Sequence, residues 1–215
     1  MTVMTSDPTG TPRFDLDSGG RICLDFANTV SGDRHGSPRE RLPGYPELVA
    51  WARQAGVVDA AHARQLLAEA RRRPADAEAV HREALALREA LFRVFSAAAE
   101  RRGPAPEDVG LVSAHLGRAL SHRRLERADE GFALGWERPP AALDAPLWEV
   151  AAQAAELLAS PRELERVRVC GMHETHECSW LFMDATRAGT RRWCSMSSCG
   201  NRAKARRHYA RAKEE

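Results

Sequence analysis

Four of the five cysteines, Cys170, Cys178, Cys194 and Cys199, fall in one short window with the spacing C-x7-C-x15-C-x4-C. Two close pairs separated by a longer excursion is the layout of a structural zinc site, in which each pair sits on a tight knuckle and the excursion leaves room for a hairpin. A segment this small buries too little to fold alone, so a metal that closes a tetrahedron stabilises it. The first pair admits an alternative. Between Cys170 and Cys178 stand His173 and His176, and either imidazole can replace Cys170 as a ligand. The two histidines are three residues apart, so the helical H-E-x-x-H protease pattern is absent. A full set of protein ligands also leaves no open position for a catalytic water. One structural Zn2+ is expected. The remaining cysteine, Cys23, lies in the apolar run Ile22-Cys-Leu-Asp-Phe-Ala27 and reads as a buried small hydrophobe on a strand.

The bases segregate with the thiols. The 215-residue chain has 32 Lys+Arg against 30 Asp+Glu, for a net charge of +2. Residues 166–215 hold eleven bases against five acids, or +6, which leaves −4 on residues 1–165. Between residues 185 and 213 there are nine bases and no acid. Such asymmetry points to a module built for a polyanion, joined to a body that is not. After Cys199 comes Gly-Asn-Arg-Ala-Lys-Ala-Arg-Arg-His-Tyr-Ala-Arg-Ala-Lys213, whose alanines and arginines favour a helix. Arg202, Arg206, Tyr209 and Lys213 form one stripe, and Arg207 and Arg211 are paired at i, i+4. Like charges at that spacing cost a few tenths of a kcal/mol each, a penalty that a polyanionic partner reverses. The first-turn N–H groups of this helix are expected to be open to a phosphate. A basic helix pinned at its start can enter a DNA major groove. Asn201 and Arg202, at the leading end, would meet base edges. Arg191 and Arg192, on an expected return strand after the turn at Gly189, would join Lys204, Arg206, Arg207 and Arg211 as DNA contacts. Trp180-Leu-Phe-Met183 and Trp193 read as a small core over the metal.

The elements that must carry this site are mostly helical. Residues 13–30 read as one or two short strands broken at Ser18-Gly-Gly20, and 31–44 as a polar loop. Helices are expected from Pro46 to Gln54, from an Asp59 cap to about Arg72, from about Ala77 to Arg102, from Glu107 to Leu120, and over 146–160. Residues 121–138 alternate around Asp129-Glu-Gly131 and read as a hairpin. The fold class is thus mainly α with a small β component (α+β). A helical domain over 13–163 precedes a small treble-clef-like or ribbon-like zinc finger over 166–213 that ends in a basic helix. Residues 1–12, rich in Thr, Ser, Gly and Pro, read as a disordered leader without a secretory signal.

The string Arg191-Arg-Trp-Cys-Ser-Met-x-x-Cys-Gly-Asn-Arg-Ala-Lys-x-Arg-Arg207, preceded by Trp180-Leu-Phe-Met-Asp184, resembles the CGNR zinc-finger family of bacterial transcription regulators. Upstream, Leu24-Asp-Phe-Ala-Asn-Thr29 and the helical body resemble the ABATE domain that precedes this finger. The resemblance covers nearly the whole chain. It implies Cys194 and Cys199 as the second ligand pair, Cys178 in the first, DNA as partner, and a ligand-sensing or dimerising N-terminal domain. The chain departs from the family pattern in its longer gap between the first two cysteines.

These readings converge on a zinc-dependent DNA-binding transcription regulator, cytoplasmic and nucleoid-associated, with a small-molecule effector and homodimerisation as further expectations. An RNA- or ribosome-associated zinc protein is the alternative. An enzyme is not expected: P-loop, G-x-G-x-x-G and G-x-S-x-G motifs are absent, although Asp25 and Asn28 could line a pocket in the body. No run of 18 apolar residues exists to cross a membrane.

Overall fold

In this computed structural model the described residues are 13–211, apart from 35, 37, 138 and 140. The expected leader at 1–12 and the terminal Lys213 lie outside them. Residues 13–20 run without regular structure into a short helix, α1 (Ile22–Ala27). A strand was expected there. Cys23, Leu24, Asp25, Phe26 and Ala27 are all buried. A run buried on every side shows neither a period of 2 nor one of 3.6, so its apolar character does not separate strand from helix. Val30–Ser31 (β1) and Arg39–Glu40 (β2) then pair briefly within the stretch expected as loop.

The helices α2 (Tyr45–Gln54), α3 (Ala60–Arg72), α4 (Pro74–Ala99) and α5 (Pro106–Leu120) follow their sequence signals closely. The Asp59 side chain accepts the His62 N–H at 2.8 Å and caps α3. Pro74 and Pro106 each sit in a first helical turn, where a missing N–H costs nothing. Strands β3 (Arg123–Ala128) and β4 (Gly131–Trp136) form the expected antiparallel hairpin, with Gly131 at φ +92° closing the turn. Next come α6 (Ala145–Leu158) and the single turn α7 (Pro161–Leu164). The C-terminal part comprises β5 (Val167–Val169), a 3-10 turn at Gly171–Thr175, β6 (Leu181–Met183), a wide turn at Met196–Gly200 and α8 (Asn201–Arg211). Strands β5 and β6 are antiparallel, with Arg168 opposite Phe182.

The main core gathers α1, α2, α4 and α6 around Leu24, Phe26, Trp51, Leu87, Leu91, Phe95, Leu147 and Val150. The Phe26 and Trp51 rings lie 5.0 Å apart. Val167, Leu181 and Met183 belong to the same core. The β5–β6 hairpin, although it falls on the basic side of the charge split, is therefore packed as part of the helical body. One face of β6 serves each module: Leu181 and Met183 point into the body, and Phe182 points at the cysteines. A buried cation fixes the β1–β2 region against α4. Arg88, 4% exposed, donates to both carboxylate oxygens of Glu40 at 2.6 and 2.8 Å and to Glu89 at 2.9 Å. Among the described residues no helix is long and apolar enough to cross a membrane.

Candidate metal centre and basic helix

The four sulfurs of Cys170, Cys178, Cys194 and Cys199 lie within 4.8 Å of one another, and all four residues are buried. Cys178 Sγ is 3.8 Å from Cys194 Sγ, which is 3.5 Å from Cys199 Sγ. These separations are too long for disulfides, whose S–S distance is about 2.05 Å. They suit four thiolates around one Zn2+, since Zn–S bonds of about 2.3 Å in a tetrahedron put the sulfurs about 3.8 Å apart. Neither His173 nor His176 contributes a nitrogen to the cluster. The His176 ring is exposed, with Nδ1 3.6 Å from the Asp33 carboxylate. The geometry thus favours Cys170 over the histidine alternative, and the long first gap is taken up by the 3-10 turn. Zinc would be held by these four thiolates as a structural ion. Hydrogen bonds from Cys170, Cys178 and Cys194 hold the Cys199 thiol far below its ordinary range, and the nearby Arg202 guanidinium adds to the effect.

Each ligand is placed by a local device. Cys170 follows β5, and its N–H donates to Trp180 C=O at 2.8 Å. The next N–H, from Gly171, donates to Arg192 C=O at 2.8 Å. A Cβ on Gly171 would come within 2.7 Å of the Trp193 ring, so a side chain there would push the two knuckles apart. Asp184, fully buried, accepts from Thr186 N–H at 3.0 Å and Arg191 N–H at 2.9 Å and so closes the Thr186–Gly189 turn. Arg191 and Arg192, expected on a return strand, do not pair as one. Strand β6 takes β5 as its partner, so the hairpin encloses the first knuckle and leaves the segment into Cys194 irregular. Trp180, Phe182 and Trp193 do pack on the cysteines, as expected, whereas Leu181 and Met183 serve the body.

The body grips the finger through one side chain in particular. Asn28 Nδ2 donates to Leu181 C=O at 2.8 Å, and Asn28 Oδ1 accepts from Leu181 N–H at 2.9 Å. Its amide therefore acts as a short piece of β-strand at the open side of β6. Met183 N–H donates to Ser18 C=O at 2.8 Å, and Arg34 N–H donates to Ser179 Oγ at 3.2 Å. Asp25 is buried and accepts the Ser18 N–H at 3.0 Å, and burial raises its pKa. Asp25 and Asn28 thus hold the chain in place. The cavity beside them measures about 10 Å³. Sequence reasoning placed neither residue at this junction, because a contact between residues 153 positions apart leaves no local signature. The buried Cys23 thiol is pushed up to about 12 by burial, as befits a core residue.

The eight expected DNA contacts divide into two groups. Arg191 is committed internally: its Nε donates to Trp193 C=O at 2.9 Å, its Nη2 donates to Cys194 C=O, and its guanidinium lies 4.7 Å from the centre of the Phe182 ring. Arg202 Nη2 donates to Cys199 Sγ at 3.0 Å, and its Nη1 lies 3.8 Å from Glu177. Arg206 also pairs with Glu177. The Asn201 amide donates to Ser197 C=O at 3.1 Å. The first N–H of α8 is not open either, because the wide turn supplies Met196 C=O to Asn201 N–H. Asn201, Arg202 and Arg206 are thus exposed but already partnered, and the other four are exposed too. Lys204, Arg207 and Arg211 are at i, i+3 and i+7 and so share one face of α8. Arg192 is exposed above the Trp193 ring, 5.1 Å from its centre. Between the body and the finger runs an open cleft of about 1190 Å³, with Arg13, Arg39 and Arg41 on one wall and Ser195, Asn201 and Arg202 on the other.

Comparison with known families gives two matches along the chain. Residues 20–161 match the model of a family, ABATE, described as "Putative stress-induced transcription regulator". Residues 166–212 match the CGNR zinc finger. No curated protein matches the chain. The chain belongs to the ABATE family and carries a CGNR zinc finger at its C-terminal end.

Proposed function

We propose that this protein is a zinc-stabilised DNA-binding transcription regulator in which α8 is the contact element. The supporting observation is the exposed stripe Lys204, Arg207 and Arg211 on a helix whose first turn is tied to the cysteine cluster. The zinc would fix the helix; the stripe would meet phosphates; Arg192 would extend it. Arg191 and Arg202 would shape the finger and leave the DNA to the stripe. Cation contacts of this kind position a protein on DNA without reading sequence. We assign the body a sensing role and no catalytic one, and the cleft against the finger is where a small effector would alter how α8 is held.

The test is binding of a fluorescein-labelled mixed-sequence duplex by the full zinc-loaded chain, followed by anisotropy between 50 and 200 mM salt, the range over which phosphate contacts separate most clearly. Saturable binding that weakens steeply with salt is expected. A structured RNA of equal length, bound more tightly than the duplex at every salt, would replace this reading with an RNA-associated one.

A further inference from the structure

The β3–β4 hairpin has one bare apolar face. Its register sets Arg123 opposite Trp136, Leu125 opposite Leu134 and Arg127 opposite Phe132, so these six side chains share a face. The base of that face is tied down: Trp136 Nε1 donates to Glu149 at 2.6 Å, and its ring is 6.1 Å from that of Trp148. Beyond the base, Leu125, Phe132 and Leu134 are 68%, 71% and 61% exposed. The opposite face carries Arg124 and Glu126 among alanines and glycines. Glu126 lies across Gly135, where an added Cβ would come within 2.4 Å of the carboxyl, and Arg124 pairs with Glu137 at 2.5 Å.

The two edges differ as well. Strand β3 carries four charged residues, whereas β4, Gly131-Phe-Ala-Leu-Gly-Trp136, carries none and has no proline. Protein sheets normally guard a free edge with charge or proline, and an isolated two-stranded hairpin is barely stable in water. Among the described residues no strand pairs with the outer side of β4.

We propose that the outer edge of β4 pairs with β4 of a second copy of this chain, around a two-fold axis at Ala133, to give a four-stranded antiparallel sheet. The sequence favours a copy of itself. A two-fold axis normal to a sheet keeps each face on its own side and sets residue i against residue j and j against i, so a pattern that reads the same in both directions sets like against like. Gly131-Phe-Ala-Leu-Gly135 is such a pattern. It sets Phe132 against Leu134 of the partner subunit and Gly131 against Gly135 of the partner subunit, with no charge meeting a like charge. The apolar faces of the two hairpins then become continuous. The edge of β3 lacks this property: pairing it about Leu125 would put Arg123 against an arginine. The interface uses none of the residues assigned to zinc or DNA, so it stands or falls separately from them.

Sedimentation velocity of the zinc-loaded chain at tens of micromolar tests the proposal. The wild type is expected to sediment as a dimer. Phe132→Lys with Leu134→Lys is expected to give a monomer with unchanged zinc content and circular dichroism. An Ala133→Cys variant keeps the proposal testable if the double variant misfolds, because the two thiols at the axis should join as a covalent dimer under mild oxidation. A monomeric wild type overturns the proposal. So does a folded double variant that remains dimeric, or an Ala133→Cys chain that sediments as a dimer yet does not cross-link.

Discussion

Replacing Asn28 with alanine removes the amide that joins the helical body to the finger. Asn28 is 5% exposed and Leu181 fully buried, so water cannot readily replace the lost partner. Two hydrogen bonds disappear, at 2.8 and 2.9 Å, and they leave the Leu181 N–H and C=O without their side-chain partner. Each buried polar group left unsatisfied costs about 1–3 kcal/mol, so the substitution should cost about 2–5 kcal/mol. That is a large share of the 5–15 kcal/mol typical of a whole domain. The strand affected, β6, leads from Cys178 towards Cys194, so the metal site should loosen with it. Two assays follow the effect on one sample: urea unfolding by tryptophan fluorescence, and zinc transfer to a chromogenic chelator. The expected result is a lower unfolding midpoint together with zinc release at least several-fold faster. Asn28→Asp should be no milder, because it keeps the acceptor for Leu181 N–H but sets a second acceptor against Leu181 C=O. A stability loss under about 0.5 kcal/mol, the size of an ordinary surface substitution, would refute the argument that this amide couples body and finger.

Further outcomes test other parts of the structure. Cys170→Ser should lower the zinc content well below one per chain, whereas His173→Ala and His176→Ala should each leave it unchanged by metal analysis. Burial pushes the Glu40 carboxyl up, but two hydrogen bonds from Arg88 and its charge outweigh burial and hold it below the usual carboxylate range. A depressed folded-state pKa gives stability that is present above about pH 4.5 and is lost as the pH falls through the lower folded value. Glu40→Gln should therefore destabilise the protein at pH 7 by only about 1 kcal/mol, because the Glu40 side chain is 38% exposed and solvent screens its pairing with Arg88. The difference from wild type should shrink towards pH 3 in urea melts. Glu177→Gln should release Arg206 on the surface of α8 and tighten duplex binding a few-fold at low salt, measured by anisotropy.

Features governed by local chemistry were legible in the sequence. The Asp59 cap, the proline boundaries and the Asp129-Glu-Gly131 turn each follow from a few neighbouring residues, and the structure has them where they were expected. The cysteine spacing likewise marked the metal site, because ligand geometry constrains short loops. What escaped was decided by distant partners. The Ile22–Ala27 run became a helix once it was buried on all sides. The charge boundary near residue 165 suggested two independent modules, yet Val167, Leu181 and Met183 complete the body core. Arg191 and Arg202 looked like their basic neighbours in the sequence, but in the fold they bond to the backbone carbonyls of Trp193 and Cys194 and to the sulfur of Cys199.

The salt dependence of duplex binding, compared between wild type and the triple variant Lys204→Ala, Arg207→Ala and Arg211→Ala, addresses the DNA reading most directly. Each phosphate contact contributes about −0.9 to the slope of log affinity against log salt, so loss of the stripe should flatten the slope by about 2.7. Zinc content and thermal stability should be unchanged, since none of the three side chains serves the metal or the core. A slope that stays the same in the triple variant would contradict the assignment of α8 as the DNA-contacting element.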